Sequence, residues 1–162
     1  MQGLKQSLTL FTVAIFLVTA GSAMAQQQRM DQFQKSLEGS LSQQLTAYNG
    51  EAQQQSGPRN RANRMTAKVN INDSDRGDAK DVEIVLTMPV QDFNSFAPTA
   101  FCEAVATPHG FPTNYIYVRN SDTGKTGHVA FKDVESLGGQ YKSGPKQKAN
   151  AEAEMARKIV WH

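Results

Sequence analysis

The chain has 162 residues, with 17 Lys and Arg against 15 Asp and Glu, and one cysteine. A single thiol excludes an internal disulfide framework, so the fold must be held by its core. The near balance of charge excludes general attraction to nucleic acid or anionic lipid as the main mode of action.

Residues 1–25 read as a cleavable secretory leader. Lys5 supplies a positive start, residues 8–20 form an apolar run, and Ala23 and Ala25 give the small-x-small pattern that signal peptidase accepts. The run falls short of the ~20 residues that a spanning helix needs. Export to the periplasm or the medium is therefore expected, with no integral membrane segment after cleavage. The 17 basic residues less Lys5 then face 15 acidic ones, a net charge of about +1.

Residues 26–60 divide into a helix and a linker. Met30, Phe33, Leu37, Leu41, Leu45 and Tyr48 recur at three- and four-residue steps, predicting an amphipathic helix over 29–48. Asn49-Gly50, a glutamine tract and Ser56-Gly57-Pro58 predict a loop over 49–60.

The domain proper is expected over 61–162. Met65, Ala67, Val69 and Ile71 alternate with polar residues, and so do Val82, Ile84, Leu86 and Met88. Two strands joined by a polar turn follow from that period. Phe96, Ala97, Ala100, Phe101, Ala104 and Val105 form a helical stripe with Asn94 or Ser95 as N-cap, and Pro108, Gly110 and Pro112 close it. A second hairpin is expected in "NYIYVRN" and "HVAFKDV", with Ile116, Val118, Val129 and Phe131 facing inward. "SLGGQYKSGPKQK" reads as a basic, Gly-rich connection. A last helix follows over 148–160, burying Ala149, Ala153, Ala156 and Val160 beside Met155 and Ile159. The expected fold is α+β: an N-terminal amphipathic helix, then two hairpin-plus-helix units whose four antiparallel strands form a sheet covered by helices on one face.

Motifs that carry chemistry are weak. Gly124-Lys125-Thr126 ends like a phosphate-binding loop, but Arg119 stands where its first glycine belongs and a strand follows instead of a helix. Asp73, Asp75 and Asp78 offer a carboxylate-rich turn, a weak cation candidate, yet Ile84 occupies the position where a calcium loop needs its bidentate acid. Arg76-Gly77-Asp78 is a tripeptide short enough to arise by chance. His109, His128 and His162 are scattered along the chain, so no metal and no cofactor is expected.

Cys102 and His109 are the low-ranking catalytic candidates, a thiol seven residues ahead of an imidazole. Glu103 beside the thiol would raise its pKa, which favours packing over nucleophilic work. The stronger candidate is the outward face of the sheet, where Tyr115, Tyr117, Arg119, His128 and Lys132 are expected to join Arg64, Lys68 and Thr87. Aromatic and cationic groups on an open sheet suit a partner-binding platform, against which stands ordinary cross-strand pairing. The leading expectation is a small exported accessory protein, without chemistry of its own, that binds another protein through this face or through the N-terminal helix. Glycan and small ligands are alternative partners, and nucleic acid is disfavoured by export. Three rival readings remain open: a thiol-dependent enzyme on Cys102 and His109, a disulfide dimer through Cys102, and a ligand or lipid carrier with a cavity between sheet and helices.

Overall fold

The computed structural model describes residues 3–56 and 65–162, with side chains described over 22–50 and 65–162. The element order is α1 (Gly3–Ser56), β1 (Thr66–Asp73), β2 (Lys80–Thr87), α2 (Val90–Ala106), β3 (Thr113–Asn120), β4 (Thr126–Ala130), α3 (Phe131–Lys142), α4 (Pro145–Lys158) and β5 (Val160–Trp161). The chain is α+β, as expected, but the sheet is mixed and has five strands.

The strands lie in chain order, β1-β2-β3-β4-β5. Both expected hairpins form, β1 against β2 and β3 against β4, each antiparallel. The expectation of four antiparallel strands fails at the centre, where β2 and β3 run parallel. Parallel neighbours need a long crossover, and the 17-residue α2 supplies it. The fifth strand is the other departure. Val160 and Trp161 pair antiparallel with His128 and Gly127, so the last residues extend the sheet instead of ending a helix.

Alternation sorts the two faces. Val69, Val82, Ile84, Leu86, Ile116, Val118 and Val129 point inward and are sealed beneath the helices. Phe93, Phe96, Phe101, Leu37, Leu41, Leu137 and Met155 meet them there. Asn70, Glu83, Val85, Tyr115, Tyr117, Arg119 and His128 occupy the opposite rows and are half-buried. Of the sheet's other outward positions, Lys68 is exposed and Thr87 half-buried, while Arg64 lies outside the described residues.

Helix α1 buries the predicted stripe of Phe33, Leu37, Leu41 and Leu45. It continues through residues 49–56 of the loop expected over 49–60. Asn49 and Gly50 cost about 1 kcal/mol in a helix interior, and the Glu, Ala and Gln that follow are good helix formers. The remainder of that loop, from residue 57, lies outside the described residues. The expected leader falls within the helical backbone of α1 from Gly3, and the side chains of its apolar run lie outside the described residues. Among the described residues, no helix is long and apolar enough to cross a membrane. One α1 side chain also guards a sheet edge. Glu38 Oε1 accepts the Val69 N–H at 2.8 Å, a donor that β1 would otherwise present to a further strand.

Three helical boundaries differ from expectation. Helix α2 begins at Val90, not at Asn94 or Ser95, and encloses Pro98. The extra turn buries Phe93 completely. That contributes about 2 kcal/mol, which offsets part of the hydrogen bond that Pro98 cannot donate. Strand β4 stops at Ala130, and Phe131 opens α3 through the stretch read as a connection. Val134, Leu137 and Tyr141 recur at helical spacing and are buried, with Asp133 in the first turn and Lys142 in the last. Gly138 concealed this helix in the sequence, and its place is a contact. A methyl there would lie 2.8 Å from the Val105 carbonyl oxygen of α2. Helix α4 starts at Pro145 and buries Ala151 and Met155, whereas the expected Ala149, Ala153 and Ala156 are exposed.

Candidate interaction surface

The central strands bring four of the five predicted platform residues together. Tyr117 lies opposite His128 in the β3–β4 register and beside Glu83 in the β2–β3 register. The Tyr115 and Tyr117 rings are 6.0 Å apart, and His128 lies 5.6 Å from the first and 5.7 Å from the second. These are edge and tilted contacts of a kind that stabilises aromatic pairs on a sheet. Lys132 is the exception. It is exposed on the first turn of α3, because β4 ends two residues before it.

Charge borders the rings on both sides. Arg119 Nε donates to Glu83 Oε1 at 3.0 Å, and Asn70 Nδ2 donates to Glu83 Oε2 at 2.9 Å. Burial would raise the Glu83 carboxyl, but those two hydrogen bonds and the Arg119 charge outweigh it and hold it below the usual carboxylate range. At the other end the Arg76 guanidinium stands 5.7 Å from the Tyr115 ring centre. Burial first, and then the Asp81 charge, raise the Tyr117 hydroxyl above its ordinary value, so it is a neutral hydrogen-bonding group at physiological pH.

Two members of the cluster were not assigned to it from the sequence. Arg76 reaches it from the β1–β2 turn. His162 reaches it through β5, its Nε2 lying 2.9 Å from His128 Nδ1. A signal for β5 was present: Val160-Trp161 is a β-branched and aromatic pair after the last basic turn of α4. Two residues are too few to show a period. A cleft of about 450 Å³ opens beside the cluster between β4, β5 and the helix ends, and Tyr115, His128, Asp133, Lys158 and Val160 are among its lining residues.

Cys102 and His109 have separate surroundings. Cys102 is fully buried within α2. Burial pushes its thiol up to about 12, with further increments from Glu152 and Glu103. A thiol in that state is neither a ready nucleophile nor accessible for a disulfide between copies. His109 packs among aromatic rings, 4.6 Å from Phe33 of α1, 4.6 Å from Phe131 of α3 and 5.8 Å from Phe111. Burial drives the imidazole down to about 4 against an opposing backbone hydrogen bond at Thr107, so it is neutral at pH 7. Its Nε2 is buried and has no hydrogen-bond partner among the described residues.

Glu103, the neighbour of Cys102, is a structural group. Glu103 is only 6% exposed and accepts hydrogen bonds from three donors on two helices. Ser40 Oγ and Gln44 Nε2 come from α1 at 2.6 and 3.0 Å, and Tyr141 OH comes from α3 at 2.8 Å. Lys148 Nζ then donates to Gln44 Oε1 at 3.1 Å, which ties α4 to the same network. A buried carboxylate with this many donors is a clasp between helices.

The acidic turn does not gather its carboxylates. Asp73 pairs with Lys80, while Asp75 and Asp78 are exposed. Among the described residues no group of three or more His, Cys, Asp or Glu is placed to hold a metal ion. Two further clefts, of about 560 and 280 Å³, lie where α1 meets the 108–112 loop, at the rim of the sheet layer. Comparison with protein families, with curated proteins and with solved structures finds no match.

Proposed function

We propose that the chain is a small exported binding domain of the bacterial envelope or secretome that works without chemistry of its own and takes a protein partner on its open sheet face. The observation that carries this reading is the contiguous patch of Tyr115, Tyr117 and His128, flanked by Arg76 and by the Arg119–Glu83 pair, on the side of the sheet opposite its buried rows. Tyr and Arg supply large contact area and several donors per side chain, which is why such residues dominate protein interfaces. The pairing of Arg119 with Glu83 fixes the guanidinium in place, so little conformational entropy is lost when a partner arrives. The thiol-enzyme alternative has less support, because the Cys102 sulfur is buried and held protonated. The carrier alternative also has less support, since large side chains fill the layer between sheet and helices.

A photo-crosslinking residue placed at Tyr117 in producing cells tests the reading, with one at exposed Glu135 on α3 as the control. The expected result is a discrete protein adduct from position 117, absent from 135, and lost when Arg119 and Tyr115 are both changed to Ala. No adduct from 117, or equal adducts from both positions, rejects the sheet face as the working surface. Mass spectrometry of the exported protein checks the destination separately, the expected first residue being Gln26.

A further inference from the structure

The last strand is short, and its outer face carries a contact between two titratable rings. Only Val160 and Trp161 pair with β4, and the His162 N–H adds a bond to the Thr126 carbonyl at 2.8 Å. Trp161 lies over Gly127, where even a methyl group would meet its ring at 2.9 Å, and edge-on to Phe93 at 5.9 Å. Lys125 Nζ stands 4.7 Å from the Trp161 ring centre while donating to Asn94 Oδ1 at 2.7 Å. On the outer face the His128 and His162 rings have nearly parallel planes, 6° apart, with centres separated by 4.9 Å. Their nitrogens are only 2.9 Å apart, so the rings meet nitrogen to nitrogen and not face over face.

Such a contact requires one N–H and one lone pair. A pair of neutral imidazoles satisfies it, and so does a pair carrying one extra proton. With a proton on every nitrogen, two N–H groups and two positive charges confront each other across the same gap. We propose that the His128–His162 pair is an acid-operated latch: it holds β5 on the sheet until both rings are charged, then releases the strand together with Trp161.

The surroundings of His128 bear on this. Tyr115 and Tyr117 face it from β3, His162 from β5, and Asp133 of α3 and Lys158 of α4 line the adjoining cleft. Arg76 reaches the far side of Tyr115. Asp133 lines that cleft with Lys158 opposing it, while Asp81 accepts the Tyr115 N–H and its charge, with that of Asp75, acts on Tyr117. Burial, and then the His162 charge, lower the His128 imidazole from its ordinary value, the direction expected where the charged form is disfavoured in the folded state. The stabilising contribution is therefore present above the unperturbed imidazole value and is lost as pH falls below it. Release uncovers the backbone of β4 at Gly127 and His128 and the indole of Trp161, beside the aromatic patch.

Trp161 is the chain's one tryptophan, so its fluorescence reads the strand directly. Acrylamide quenching is measured on the intact protein from about pH 7.5 to about pH 5.5, alongside far-UV circular dichroism. The ring starts 37% exposed, and full release raises the quenching constant roughly two- to three-fold with the dichroism unchanged. His128→Gln and His162→Gln remove the second charge and should flatten the profile. Amide exchange at His162 in the unaltered protein should quicken over the same interval. A flat profile in the unaltered protein, the same rise in either variant, or a simultaneous loss of dichroism each overturns the latch.

Discussion

Replacing His109 by Phe should make the protein more resistant to acid, and the size of the effect follows from its site. The imidazole sits among Phe33, Phe111 and Phe131 and has a pKa of about 4, against 6.5 for an unperturbed imidazole. Between those values the unfolded chain binds a proton that the folded chain refuses. Stability from this group is complete above about pH 6.5 and is lost progressively as pH falls toward about 4. At about 1.4 kcal/mol per pKa unit the interval amounts to roughly 3 kcal/mol. His109 keeps partial contact with solvent, whose screening reduces this to about 2 kcal/mol. Urea denaturation at about pH 7 and about pH 4.5 measures it as a double difference. Carboxylates that titrate in both proteins cancel, and the native protein should lose about 2 kcal/mol more than His109→Phe over that interval. At neutral pH the variant should match or exceed the native protein, because it removes a buried nitrogen with no partner among the described residues. Equal losses in the two proteins would refute the account of His109 as a buried neutral imidazole.

Two further outcomes concern the helical layer. Glu103→Ala strands Ser40, Gln44 and Tyr141 without their acceptor and should cost about 3 kcal/mol, with Glu103→Gln intermediate; amide exchange should quicken first along α1. Unchanged α1 protection in Glu103→Ala would show that apolar packing alone seats that helix. Gly138→Ala drives a methyl against the Val105 carbonyl and should lower stability by about 2 kcal/mol in thermal unfolding, although alanine is the better helix former. A stabilised variant would contradict the close approach of α2 and α3.

The parts of the fold legible in sequence were those with an uninterrupted period. Val69, Val82, Ile84 and Leu86 alternate without a break, and the structure buries all four. The same alternation placed Tyr115, Tyr117, Arg119 and His128 on one outer face. Legibility failed where one residue type serves two purposes. Glycine marks a connection in sequence, but at Gly138 it permits two helices to touch. Phe131 continues an alternating strand pattern as well as it begins a helical one, and burial of Val134, Leu137 and Tyr141 decides for the helix. The parallel pairing of β2 and β3 was beyond reach for another reason: both pairings bury the same residues, and only the crossover geometry of α2 distinguishes them. His162 could not be joined to His128 without first knowing that β5 exists.

The Glu103 clasp also sets an order in time. Gln44 is bonded to Glu103, 59 positions later, and to Lys148, 104 positions later. Ribosomes make α1 first, yet its polar seal cannot close until residue 148 has been synthesised. Closing so long a loop is slow compared with forming the local hairpins. The helix made earliest therefore keeps its polar side unsealed until α4 has been made.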